Sequence, residues 1–357
     1  MIVIVVVLAV RGLGGDDSDP QHQRAPDPLA GVSPEELVGQ RLMVRMGDEA
    51  TPELIEAARE GTIGGVIMFP APDVVPATAA RQVKRLQRAA AKGDNPPLLV
   101  AIDQEGGEVK RLPAGPPQRS PAELGSLGDA SAARAEGEQT AAFLRQFGVN
   151  VDLAPVLDVP GPGSFIAGRA FADDPGTVAE VGVAFAAGLE QGGLAATAKH
   201  FPGLGLATIN TDLAPRVVEA PLSDLRAGLV PFEAAIASGI DIVMVGSAVY
   251  PALDRGAAAM LSERIVTGEL RDRLGFDGVV ITDDLEAGSI GAELAPADAA
   301  VEAAAAGADI LLLATGAAPG PVAQRVRRAL ARGELERAAA EQSYLRIAEL
   351  KRMVASG

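Results

Sequence analysis

The stretch Phe276-Asp277-Gly278-Val279-Val280-Ile281-Thr282-Asp283-Asp284 decides how the fold is read. It is a short, continuous apolar run that ends in two carboxylates. Such a run suits a parallel strand buried on both faces. Seven more runs of the same kind lie at 41–44, 65–69, 98–102, 149–153, 195–198, 241–245 and 309–313, with 278–281 as the seventh in chain order. Between most of them lie longer segments rich in Ala, Leu, Arg and Glu, with helical character. Ser33-Pro34-Glu35-Glu36 reads as a helix start, with Ser as N-cap, Pro at the first helical position and acids in the first turn. Eight β/α units without a Gly/Pro linker between them predict an α/β fold, a single-domain (β/α)8 TIM-type barrel over 32–357. A doubly wound sheet is the alternative. The Ala/Glu/Arg/Leu-rich tail, 334–353, is expected to be a helix outside the barrel.

In such a barrel, polar residues just past a strand's C-terminal end face the active site. The third run leads into Asp103-Gln104-Glu105-Gly106-Gly107. The fourth carries Asn150 and Asp152 and ends toward Asp158. The fifth leads into Lys199-His200, and the seventh into Thr282-Asp283-Asp284. Carboxylates, a lysine and a histidine therefore gather at one rim. Of the pair Asp283 and Asp284, alternation turns one into the barrel mouth and the other toward the helices. A carboxylate at the mouth can attack an anomeric carbon if positive partners keep it ionised.

Composition narrows the choice of partner. The net charge of −16 argues against nucleic acid and anionic lipid, which need Lys and Arg to neutralise phosphate. There is no cysteine, hence no disulfide, thiolate metal site or cysteine nucleophile. Trp is absent, so a sugar site must grip hydroxyls with charged and amide groups. No metal-ligand spacing is visible, and no cofactor or metal is expected. Gly203-Leu204-Gly205 does not make a dinucleotide loop, because Thr208 stands where the third glycine belongs. Of the two histidines, His22 falls in a polar N-terminal stretch, which leaves His200 for the barrel.

Residues 1–31 form a separate segment. Ten apolar residues from Met1 to Val10 precede a stretch rich in Gly, Asp, Ser, Pro and Gln. Ten are too few for a membrane span, which takes about 20. They resemble the apolar part of a clipped export signal or anchor, or alternatively a buried first strand. The expectation is an exported, extracellular or cell-envelope protein with an N-terminal membrane association and a linker, acting as a monomer. A cytoplasmic location is the alternative.

Six motifs in this order resemble glycoside hydrolase family 3, in its single-domain bacterial β-N-acetylglucosaminidases. They are Gly64-Gly65-Val66-Ile67-Met68-Phe69; Ala101-Ile102-Asp103-Gln104-Glu105-Gly106-Gly107-Glu108-Val109-Lys110-Arg111; Val151-Asp152-Leu153-Ala154-Pro155-Val156-Leu157-Asp158-Val159; Gly168-Arg169-Ala170-Phe171; Lys199-His200-Phe201-Pro202-Gly203; and the run from Phe276 through Asp284, extended to Leu285. The resemblance implies that Asp103 binds two hydroxyls of the terminal sugar and that Arg111, Arg169, Lys199 and His200 complete the grip. It implies Asp283 as nucleophile of a retaining double displacement on terminal β-linked N-acetylglucosamine, as in cell-wall glycans, without metal or cofactor.

The chain departs from the family pattern where the acid/base belongs. Family members read Lys-His-Phe-Pro-Gly-His-Gly and then Asp-Ser-His, whose last His is the general acid/base. Here Leu204 replaces the first of those loop histidines, Asn210 the Asp, Thr211 the Ser and Asp212 the catalytic His. Glu108 and Ser247 also stand where other residues are usual. A carboxyl can serve as acid/base in a glycosidase, and burial beside Asp283 would raise its pKa. Asp212 is therefore read as the acid/base, against the alternative of an ordinary loop aspartate. Three functions follow: a β-N-acetylhexosaminidase using Asp283 and Asp212, a catalytically impaired sugar-binding or cell-wall sensor protein, and a transferase or phosphorolytic enzyme that needs no strong acid.

Overall fold

The computed structural model describes residues 29–291 and 294–356. Contacts divide the chain into Met1–Gly31 and Val32–Gly357. The apolar run from Met1 to Val10, the linker after it and His22 lie outside the described residues.

Eight strands occupy the eight apolar runs: β1 Leu42–Met46, β2 Gly65–Met68, β3 Leu99–Ile102, β4 Val151–Asp152, β5 Ala195–Phe201, β6 Ile242–Val245, β7 Val279–Thr282 and β8 Leu311–Leu313. Every neighbouring pair is parallel, in the order β7-β6-β5-β4-β3-β2-β1-β8. A doubly wound sheet would leave β7 and β8 as open edges. Instead Ile281 bridges Ile310, the Thr282 amide donates to the Ile310 carbonyl at 3.0 Å, and the Asp309 amide donates to the Val280 carbonyl at 2.8 Å. The sheet closes, and the fold is a (β/α)8 barrel.

Helices separate successive strands, and their starts follow sequence chemistry. Ser33, Thr51, Ser120 and Asp174 cap helices whose next residue is proline. Ser33 Oγ accepts from the Glu36 amide at 3.1 Å, as the sequence predicts. Alternation along the strands builds two cores. Val44, Val66, Val100, Ala196, Val243 and Val280 pack against the helices. Met43, Ile67, Leu99, Val151, Ala195, Ile242 and Val279 fill the barrel.

The tail helix, Arg337–Ser356, does not lie outside the barrel as expected. Ile347 and Leu350, each 1% exposed, join the interior core and plug its floor. A periodic apolar face shows that a helix packs but not on what. The open floor of a barrel is apolar surface that must be covered. Burying each of these side chains contributes about 1.5–3 kcal/mol. Arg346 Nη1 then reaches the buried Asp309 at 3.2 Å, where Arg271 Nη2 also binds at 2.6 Å. The rim at the opposite end, beyond the strand C-termini, is left for chemistry.

Candidate active site

The rim encloses one cavity of about 960 Å³. Asp103, Arg111, Arg169, Lys199, His200, Asp212 and Asp283 all line it, so the seven residues singled out in the sequence converge on one space. β3 delivers Asp103, β5 delivers Lys199 and His200, and β7 delivers Asp283. The peptide bonds Lys199-His200 and Phe201-Pro202 are both cis, and the pairing of β5 with β6 shifts register between Ala198 and Phe201.

A buried ion network forms one wall. Lys199 Nζ donates to Asp103 Oδ1 at 2.9 Å and also contacts Glu105, while Arg111 Nη2 reaches Asp103 Oδ2 at 3.3 Å. Arg169 holds Glu105 bidentately, Nε to Oε2 at 2.8 Å and Nη2 to Oε1 at 2.7 Å. Burial alone would raise the Asp103 carboxyl, but the charges of Lys199 and Arg111 outweigh it and hold the pKa at about 2. Glu105 follows the same logic: burial pushes up, and Lys199 and Arg169 pull it below the usual value. Burial favours neutral Lys199, yet the two carboxylates keep it charged and raise its pKa. These groups stay ionised and fixed, a preorganised set of donors and acceptors for hydroxyls.

Glu105 has no role that its sequence motif alone assigns. The signal for one is the Gly106-Gly107 pair. Both sit at positive φ, +93° and +61°, and a Cβ on Gly106 would meet Pro117 Cγ at 2.8 Å. The glycines let the chain turn back in the hairpin Gln104–Gly106 with Val109–Lys110, which sets Glu105 in the wall. Asp158 likewise reads in the sequence only as a strand end. In the structure it orients His200, Oδ2 lying 2.7 Å from Nδ1, and Oδ1 accepts the Leu204 amide at 2.6 Å. Arg169 Nη2 lies 3.4 Å from His200 Nε2. The ring is thus held between the Asp158 carboxylate on its Nδ1 side and the Arg169 guanidinium on its Nε2 side.

Two other strand-end residues leave the rim. Asn150 ties β3 to β4, its Oδ1 accepting the Val100 amide at 2.7 Å. Asp152 is fully buried away from the cavity, accepting the Gln104 amide at 3.0 Å, and burial raises its carboxyl to about 8.

The two adjacent aspartates separate clearly. Asp284 is tied to the segment after β8, accepting from the Ala314 amide at 3.0 Å and the Thr315 hydroxyl at 2.8 Å. Asp283 accepts one hydrogen bond, from the Asp284 amide at 2.9 Å, and lines the cavity. Burial and the Asp212 charge push its pKa up to about 6, with His200 offsetting part of the rise.

Asp212 differs from expectation. It lines the cavity, but the residue is exposed, because the 204–217 loop runs outward over the rim. The burial expected for its carboxyl from the sequence is therefore absent. The loop backbone is fastened: the Asp212 amide donates to Asn210 Oδ1 at 2.9 Å, and its carbonyl accepts the Gly288 amide at 2.9 Å. A Cβ on Gly288 would lie 2.6 Å from the Leu213 carbonyl oxygen. Leu204, where a histidine is usual, is 2% exposed and belongs to the core. Glu108 packs against Gly168, whose Cβ would meet Glu108 Oε1 at 2.2 Å. Ser247 is buried with an unpartnered hydroxyl. Among the described residues no group of three His, Asp or Glu is placed to hold a metal ion.

Known proteins share both sequence and architecture. Residues 34–350 match the Glycosyl hydrolase family 3 N terminal domain. An "uncharacterized secreted glycosyl hydrolase" of Arthroderma benhamiae is 38% identical over 88% of this chain and 92% of its own length. A beta-hexosaminidase of Methylobacillus flagellatus is 35% identical over 75% of this chain and 78% of its own. Among solved structures, a family 3 β-N-acetylglucosaminidase of Paenibacillus superposes with a TM-score of 0.87 at 34% identity, covering 91% of this chain and 63% of that longer one. A β-N-acetylhexosaminidase of Beutenbergia cavernae gives 0.82 at 35% identity, over 90% of this chain and 99% of its own. A match over nearly the whole barrel makes the chain a member of glycosyl hydrolase family 3, a hydrolase of O-glycosyl bonds.

Proposed function

We propose that this chain is a retaining, exo-acting β-N-acetylhexosaminidase that removes terminal β-linked N-acetylglucosamine from cell-wall-type glycans. The observation that carries the reading is Asp283, a half-buried carboxylate with one hydrogen bond, facing the Asp103–Lys199–Arg169 wall across one cavity. The names of the hexosaminidase relatives support the sugar. Asp103, Arg111, Arg169, Lys199 and His200 hold the terminal sugar. Asp283 attacks the anomeric carbon and forms a covalent glycosyl-enzyme, while Asp212 protonates the leaving oxygen. Asp212 then takes a proton from water, which displaces Asp283 with a second inversion. No metal or cofactor enters these steps. The enzyme acts as a monomer outside the cytoplasm; a relative described as secreted supports export. Among the described residues no helix is long and apolar enough to cross a membrane.

One observation favours a second reading. Asp212 is exposed and stands where the family carries its histidine acid/base, as in a sugar-binding protein without turnover. Kinetics separate the two. If Asp212 is the acid/base, Asp212→Ala spares the first step on an aryl β-N-acetylglucosaminide and blocks an alkyl one, and azide restores turnover. Sugar binding without hydrolysis of any aryl glycoside by the unaltered protein identifies the binder.

A further inference from the structure

A second cavity lies at the floor of the barrel, at the opposite end from Asp283. It measures about 250 Å³ and is walled by Pro96, Pro97, Ile347 and Ala355. Two polar side chains form its head, Gln40 at 3% exposure and Lys351 at 6%. Lys351 Nζ donates to Gln40 Oε1 at 2.6 Å. Gln40 Nε2, equally buried, has no partner.

The donors and acceptors do not balance. An ammonium carries three N–H donors and a primary amide two. The bond to Oε1 uses one, so with Lys351 charged four N–H groups remain at the buried head of a largely apolar pocket. Turning the amide over would set its donors against the ammonium, so Lys351 fixes Gln40 as it stands. The carboxylate whose charge reaches Lys351 is that of Glu36, and it already accepts the Tyr344 hydroxyl at 2.7 Å. Arg352, at the edge, is bound to Glu349. The pocket is rich in donors and poor in acceptors, and its size exceeds the roughly 30 Å³ share of one water.

We propose that this floor pocket binds a small amphiphilic carboxylate, whose oxygens take the free hydrogens of Lys351 and Gln40 while its hydrocarbon lies along Pro96, Pro97 and Ile347. A phosphate would leave the apolar walls uncovered, and a neutral apolar molecule would leave the donors unmet. Burial lowers the Lys351 pKa to about 7 despite the Glu36 charge, and a bound anion removes that penalty. The site shares no residue with the rim, so it stands independently of the proposed hydrolysis.

Octanoate is the probe, with 1-octanol as its neutral counterpart. Octanoate is expected to raise the melting temperature in a saturable way and to shift the Lys351 side-chain resonance in protein carrying 13C-lysine, with octanol doing neither. Lys351→Met and Gln40→Leu are each expected to weaken octanoate binding by about tenfold or more, without changing turnover of an aryl glycoside. An unmoved Lys351 resonance in the unaltered protein overturns the proposal, and this arm stands even if a variant fails to fold. Equal responses to octanol, or unchanged octanoate affinity in both variants, overturn it as well.

Discussion

Asp152→Asn should make the protein more stable, and the gain should depend on pH. Asp152 is fully buried on β4, accepts the Gln104 amide through Oδ1, and has no partner at Oδ2. Burial raises its pKa from 3.8 to about 8. Its native carboxyl therefore holds a proton that the unfolded chain releases near pH 4. Where the native state binds more protons, stability falls as pH rises. The penalty is absent below the unfolded pKa, grows between about 4 and about 8, and is constant above. A tenfold change in proton affinity between the folded and unfolded chains corresponds to about 1.4 kcal/mol, so the ceiling is about 5–6 kcal/mol, and relaxation of the site brings the measured value nearer half of that. Asparagine keeps the acceptor for Gln104, matches the shape of the protonated acid and cannot ionise. Urea unfolding of both proteins from pH 5 to pH 9 is the assay. The advantage of Asp152→Asn should widen across the range and level off above pH 8. Parallel stability curves would refute the buried, protonated carboxyl.

The rim and the floor yield further expectations. The kcat/KM of the hydrolase should rise with pH through a limb near 6, because the proposed nucleophile, Asp283, must be ionised and is raised to about 6; a limb below 5 would contradict that role. Gly288→Ala should push the Asp212 carbonyl away and lower kcat by about 10²-fold on substrates that need an acid, with little change in KM; an equal loss on aryl and alkyl substrates would contradict a positioning role. Arg169→Met leaves buried Glu105 without its bidentate partner and should cost about 3–5 kcal/mol in denaturant unfolding. Leu350→Ala opens a void under the barrel and should cost about 2–5 kcal/mol while leaving KM unchanged.

Much of this architecture is legible in the sequence. Strands such as Val279–Thr282 are short because a buried parallel strand needs only a few apolar residues, and the polar residue after each one marks the rim. What local pattern cannot supply is the partner across space. The tail helix has an apolar face, but nothing in its sequence says that Ile347 faces the barrel interior. Asp152 and Asp283 look alike as strand-end acids. One lies behind the rim and the other faces the cavity, a difference of register set by neighbouring strands. Asp212 reads as buried because its sequence neighbours resemble a catalytic loop. The loop's path over the rim depends on backbone bonds to Gly288 and Ser289, which lie 76 and 78 residues away from the Asp212 and Thr211 carbonyls that they contact.

In the proposed mechanism Asp283 carries the sugar and Asp212 moves the proton. Intact-mass and peptide analysis of Asp212→Ala mixed with an aryl β-N-acetylglucosaminide tests it most directly. One glycosyl adduct is expected, mapped to Asp283 and discharged as the glycosyl azide when azide is added. An adduct on another residue, or aryl-glycoside turnover in Asp212→Ala equal to that of the unaltered enzyme without azide, would contradict it.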